Sequence, residues 1–229
     1  MQTIGLIGGM SWESTVTYYS VINTVIKEQL GGLSSARCVL YSVDFQEIER
    51  CQSEGRWDES AGILSDAALA LERAGADFFL ICTNTMHKVA DAVAARVSIP
   101  LLHIAEETGR ELLGRNMTTV GLLGTAYTME QDFYTGKLAA MGITAVVPEA
   151  SARRDINNII FDELCLGVIK DESRRVFVRA MNTLADQGAQ GIVFGCTEIG
   201  LLVGQTDSPL PVFDTARIHA RSAALRALS

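Results

Sequence analysis

The chain has 229 residues, 48% of them hydrophobic and 20% charged, with 20 Gly and only 4 Pro. That length accommodates one large or two small domains, and that composition excludes disordered and collagen-like chains. Lys and Arg number 19 against 27 Asp and Glu, a net charge of −8, which argues against nucleic acid and anionic membranes as partners.

Strands and helices are predicted in regular alternation: strand 3–8, helix 13–29, strand 37–42, helix 58–74, strand 77–82, helix 86–97 and strand 99–103. Strand 118–124, helix 128–140, strand 143–147, helices 154–166 and 173–187, strand 191–195 and strand 211–213 follow. The strands are short aliphatic and β-branched runs without polar alternation, and the helices place apolar residues three and four apart. This is the pattern of an α/β protein whose parallel strands are buried on both faces. No long linker divides it. The expected domains are 1–98, completed by the C-terminal helix 208–229, and 99–207.

The N-terminus enters the apolar run Ile4-Gly5-Leu6-Ile7 without the basic flank and cleavage site of an export signal. No apolar stretch reaches the roughly 20 residues needed to cross a bilayer. Cys38, Cys51, Cys82, Cys165 and Cys196 are widely spaced, with no C-x-x-C pair, and His87, His103 and His219 have no metal-ligand spacing. A cytoplasmic protein with reduced thiols and no metal is expected.

The two halves resemble each other. Thr3-Ile4-Gly5-Leu6-Ile7-Gly8 matches Thr119-Val120-Gly121-Leu122-Leu123-Gly124, and the segment from Gly75 to Asn84 matches that from Gly188 to Thr197 at a similar separation. Two matches in the same order suggest a duplicated α/β unit, and in this register the counterpart of Cys196 is Thr83, not Cys82. In parallel sheets ligands bind beyond the C-terminal strand ends. Halves facing each other about a pseudo-twofold axis would bring Thr83 and Cys196 to opposite sides of one small ligand. The helix start after Cys196 predicts a lowered thiol pKa and an attraction for carboxylate, with Asn84, Thr85 and Thr197 as donors. Each of these residues also has a bland reading, since Thr and Asn are common helix caps and a first-turn Glu198 is a common dipole partner. Gly5, Gly8 and Gly9 fit neither a dinucleotide nor a P-loop spacing. A tight turn approaching a small ligand, with Met10 beside it, is expected there.

Through Gly8-Gly9-Met10-Ser11-Trp12, Thr83-Asn84-Thr85-Met86-His87 and Gly195-Cys196-Thr197-Glu198, the chain resembles the aspartate/glutamate racemase family nearly end to end. Val43-Asp44-Phe45, Gln52, Tyr127 to Gln131 and Pro211 to Asp214 fit as well. The resemblance implies two pseudo-symmetric α/β domains with the active site at their interface, no cofactor, a homodimer, and a small amino-acid substrate. It implies Thr83 and Cys196 as catalytic residues, with Met10, Gln52, Asn84, Thr85, Thr197 and Glu198 binding substrate. In the family, two cysteines stand on opposite faces of Cα, one removing its proton and the other returning one.

This sequence departs from that pattern twice. Thr83 stands where the family has its first cysteine, with Cys82 one residue out of register and expected to face the sheet interior. Cys165 lies where some aspartate racemases carry a lysine. The expected activity is racemisation of L-Asp or L-Glu, with an apparent preference for the L-to-D direction because a hydroxyl is a poorer resting base than a thiol. The alternatives are a racemase of neutral or basic amino acids, a single-cysteine decarboxylase, and a catalytically weak amino-acid-binding protein. His87 is expected on a helix surface or in a supporting role.

Overall fold

The run Ile4-Gly5-Leu6-Ile7-Gly8 has no polar residue to turn toward water, and as β1 (Ile4–Gly8) it forms the fully buried centre of a parallel sheet. β2 (Cys38–Ser42) pairs on one side and β3 (Phe78–Ile81) on the other, in the order β2-β1-β3. Side-chain alternation sorts these strands into two cores. Ile4, Leu6, Phe78, Leu80 and Cys82 pack with Tyr18, Ile22 and Ile26 of α1 (Trp12–Leu30) and with a C-terminal alanine stripe beginning at Ala216. On the other face Ile7, Phe79 and Ile81 pack with Ile48 of α2 (Phe45–Ser53), with Leu64, Ala67, Ala68 and Leu71 of α3 (Trp57–Arg73), and with Val93 of α4 (Ala90–Ala94).

The second sheet is built on α5 (Ile104–Gly114) and β4 (Thr119–Gly124), followed by α6 (Ala126–Glu130), α7 (Asp132–Ala140), β5 (Thr144–Val146), α8 (Ala150–Asp162) and α9 (Asp171–Asp186). β6 (Ile192–Gly195), α10 (Ile199–Leu202), β7 (Val212–Asp214) and α11 (Thr215–Leu228) complete the chain. The strands are parallel in the order β5-β4-β6-β7. All 229 residues are described in this computed structural model, which divides into one unit of Met1–Ile104 with Ala216–Ser229 and another of Ala105–Thr215. The boundaries differ from those expected at 98/99 and 207/208. Residues 208–215 stay with the second unit because β7 is hydrogen-bonded along β6. No helix is long and apolar enough to cross a membrane.

The first three strands of each sheet have the same spatial order, so β1, β2 and β3 correspond to β4, β5 and β6. Ile7 pairs with Ile81, and the matching Leu123 pairs with Phe194. Counting outward, Cys82 corresponds to Gly195 and Thr83 to Cys196, the register read from the repeat.

Several predicted elements are corrected. The segment 99–103 is only a single bridge between Leu101 and Phe79, because Pro100 has no N–H to continue the ladder. Helix 86–97 is a 3-10 turn, Thr85–Val89, followed by the short α4. Helix 128–140 is broken by the extended backbone of Gln131 into α6 and α7. The Gly8-Gly9 turn, expected to admit a ligand, is shaped by the protein's own chain. Gly9 has φ +89, and a Cβ there would lie 2.2 Å from the Val43 carbonyl oxygen. Gly9→Ala should therefore destabilise the fold by about 3 kcal/mol, read as a lower urea midpoint with unchanged m.

Candidate active site

In the first unit, the last ladder bond of β3 runs from the Cys82 N–H to the Ile7 carbonyl at 2.9 Å. Cys82 is fully buried in the core, and desolvation pushes its thiol pKa far up, so it faces away from the strand end as alternation requires. Thr83, half-buried, is the first residue beyond the ladder. Asn84 and Thr85 follow, both buried; the Asn84 side chain does not cap the 3-10 turn. His87 is buried, not on a helix surface, and its Nδ1 bonds the Thr83 carbonyl at 2.8 Å. Met10 is buried with Ile48 and Met86, and Gln52 donates from Nε2 to the Met86 sulfur at 3.0 Å.

In the second unit β6 ends at Gly195, whose added Cβ would meet Leu122 at 2.8 Å, so that position stays bare and the next side chain is that of Cys196. The Cys196 Sγ–H donates to Glu198 Oε2 at 3.0 Å, and the Thr197 hydroxyl donates to the same oxygen at 2.7 Å. Cys196 and Glu198 are buried and Thr197 is half-buried. The expected lowering of the thiol pKa is reversed. Burial raises it well above the ordinary range, and the Glu198 carboxyl and Cys165 push it the same way. The helix that was expected to supply positive potential, α10, has only four residues, too few to align a large dipole.

Sequence reasoning did not single out Thr125 and Asn157. Thr125 caps α6, accepting from the Thr128 N–H at 3.4 Å, and Asn157 Oδ1 accepts from the Ala126 N–H at 2.9 Å. The repeat held the signal, since it equates Gly124, just before Thr125, with Gly8. No group of three or more His, Cys, Asp or Glu is arranged to hold a metal ion.

The duplicated parallel sheets, with polar residues gathered beyond equivalent strand ends, define an α/β enzyme built on a repeated unit. The profile of the Asp/Glu/Hydantoin racemase family matches residues 7–223. The chain belongs to this family and is an isomerase. It is similar over its full length to the structure of a Yersinia pestis protein provisionally assigned as an Asp/Glu racemase, with 53% identity, TM-score 0.94 and 100% of both chains covered. An aspartate racemase homologue from Pyrococcus horikoshii OT3 is 36% identical, with TM-score 0.87 and 100% of both chains covered. A broad-specificity amino-acid racemase of Bacillus subtilis (strain 168) is 28% identical over 169 residues, 72% of this chain and 71% of that protein.

Proposed function

We propose that the protein is a cofactor-independent amino-acid racemase acting on L-Asp and L-Glu, in which Cys196 removes the Cα proton and Thr83 returns one with inversion. The observation that carries this reading is the ladder register, in which Thr83, two residues past the end of β3 at Ile81, and Cys196, next after the end of β6 at Gly195, are counterparts. A general base must be able to shed its own proton first. For Cys196 the acceptor is Glu198, whose Oε2 already receives the thiol hydrogen bond. A buried thiolate of raised pKa is scarce but strongly basic, which suits abstraction from a carbon acid. Asn84, Thr85 and Thr197 supply donors for the substrate carboxylate, and Met10 and Gln52 complete the binding residues.

The second reading, a racemase of neutral or basic amino acids, is favoured by Cys165, which lies close enough to Cys196 to raise its pKa and carries no positive charge. It is favoured also by the breadth of the Bacillus subtilis relative. The deciding experiment incubates the protein in D₂O with L-Asp, L-Glu and a panel of neutral and basic amino acids. Deuterium at Cα together with D-product names the substrate class. Exchange without inversion, carbon dioxide release from a malonate-type acid, or binding without exchange would each replace racemisation by another activity.

Removing the carboxyl that raises the thiol has a defined sign. Glu198→Gln should shift the ascending limb of the kcat/KM pH profile for L-substrate to lower pH while lowering its plateau, because the thiolate forms more readily but its proton acceptor is gone. A limb that stays in place would remove Glu198 from the chemistry.

The reading also includes a cytoplasmic homodimer. Trp12, Val16 and Tyr19, at four- and three-residue spacing, expose an apolar stripe along α1, and edge strand β2 exposes Leu40 and Tyr41. Sedimentation of Trp12→Lys against the unmodified chain tests this, with dissociation expected.

A further inference from the structure

His87 and His103, close in sequence, and the distant His219 meet in one buried cluster of the first unit. The His87 ring lies 4.5 Å from that of His103 and 5.9 Å from that of His219, centroid to centroid. All three are nearly inaccessible to water. The partners of two rings define their tautomers. His87 faces the Thr83 carbonyl with Nδ1 at 2.8 Å, and its Nε2 accepts from the Ile104 N–H at 3.3 Å. A carbonyl requires a donor and an N–H requires an acceptor, so His87 is neutral with its proton on Nδ1. His219 is the opposite tautomer: Nε2 donates to the Leu102 carbonyl at 2.8 Å, and Nδ1 accepts from the Tyr18 hydroxyl at 2.8 Å.

The ring nitrogens of His87 and His219 are thus committed, the cluster is not arranged to hold a metal ion, and simple filling of the core would not need these bonds. It meets the chemistry at the strand end, where the His87 ring bonds the Thr83 carbonyl, beyond the last ladder bond of β3, and also the backbone of Asn84. Holding that carbonyl fixes ψ at Thr83 and so the direction of its Cα–Cβ bond. A hydroxyl is a weaker acid than a thiol and tolerates less displacement from the carbon it must protonate. Misplacement by about 1 Å costs on the order of 10²-fold in rate.

We infer that His87 is a positioning residue for proton delivery by Thr83, its neutral imidazole fixing the strand-end peptide while Ile104, His103 and His219 hold the ring's orientation. The inference rests on the reading of Thr83 as the donor. A Thr83 hydroxyl out of line would return the carbanion to the L-enantiomer through Cys196, so His87 should govern the outcome of the intermediate and not its formation.

The test follows L-Asp and L-Glu in D₂O and takes the ratio of D-product formation to deuterium wash-in at Cα of the recovered L-substrate. His87→Leu and His87→Gln, which offer no donor at the Nδ1 position, should lower this ratio about 10-fold or more. His87→Asn, whose Nδ2–H sits where Nδ1–H did, should recover most of it. The Asn and Gln pair decides the matter even where the Leu variant fails to fold. Equal ratios in Asn, Gln and unmodified protein, or exchange and inversion falling together by one factor, would overturn the inference and leave His87 a structural residue. Thr83→Ala separates the two readings: inversion that survives it would dismiss Thr83 as the donor, whatever His87 does.

Discussion

Replacing Cys196 by alanine should lower Cα deuterium incorporation into L-Asp and L-Glu by about 10²- to 10⁴-fold, the usual worth of a positioned acid or base. No other thiol can stand in. Cys82 faces the core and its pKa is pushed far up by burial, Cys51 is buried and likewise raised, Cys38 is raised to about 11, and Cys165 sits in the 3-10 turn Leu164–Leu166 and not at a strand end. Only Cys196 combines a strand-end position with a carboxyl poised to take its proton. The complementary variant, Thr83→Cys, should speed reaction from the D-enantiomer. Enantiomers have equal free energy in water, so kcat/KM must rise equally in both directions, and any preference for one direction would be one of saturation and not of equilibrium. Initial rates from both enantiomers measure this; a Thr83→Cys variant that gains only one kcat/KM would contradict the mechanism.

Lowering the pH from 7 to 5 should reduce the unfolding free energy by about 2 kcal/mol through His219, with His87 adding to the loss in the same direction. Desolvation lowers the His219 pKa to about 3 and takes that of His87 well below its ordinary value, with the neighbouring imidazoles adding to both. Below an unfolded pKa of about 6.5 the unfolded chain binds protons that the native rings refuse. The stabilisation is therefore complete above about 6.5 and declines as pH falls toward the native pKa values. Glu72 and Glu163, whose carboxyls are held low by bonds from Ser98 and Ser173, add to this loss only near and below their ordinary value of 4.5. Urea denaturation at pH 7, 6 and 5 reads the histidine window alone. His219→Gln should start less stable at pH 7 and show a smaller slope; an unchanged slope would mean that His219 does not bear the titration.

The strands were legible because each central one is an unbroken apolar run, and only a strand buried on both faces requires that. The repeat carried the register, and with it the correspondence of Thr83 and Cys196. Helices α2 and α5 escaped notice because Gln46, Glu47, Glu49 and Arg50 in one, and Glu106, Glu107 and Arg110 in the other, dilute their apolar faces. The break at Gln131 was hidden because apolar spacing runs on across it. The sign of the Cys196 pKa shift was beyond a one-dimensional reading. Burial of the thiol contributes most to the rise and the Glu198 carboxyl adds to it, and both depend on packing that the sequence does not display. Histidines separated by most of the chain gave no local sign of meeting.

The first unit is interrupted in sequence by the whole of the second. One face of its sheet is covered by Ala216, Ala220, Ala223, Ala224 and Ala227 of α11, packed against Ile4, Leu6 and Phe78. During translation, residues 1–104 leave the ribosome with that face covered only in part, by α1, while residues 105–215 hold all four strands of their own sheet. The usual order, in which the N-terminal domain matures first, is inverted: the inserted unit can finish its core while the first still awaits its last helix. Nascent chains halted before Ala216 should therefore yield a protease-resistant fragment from the middle of the protein and not from its beginning.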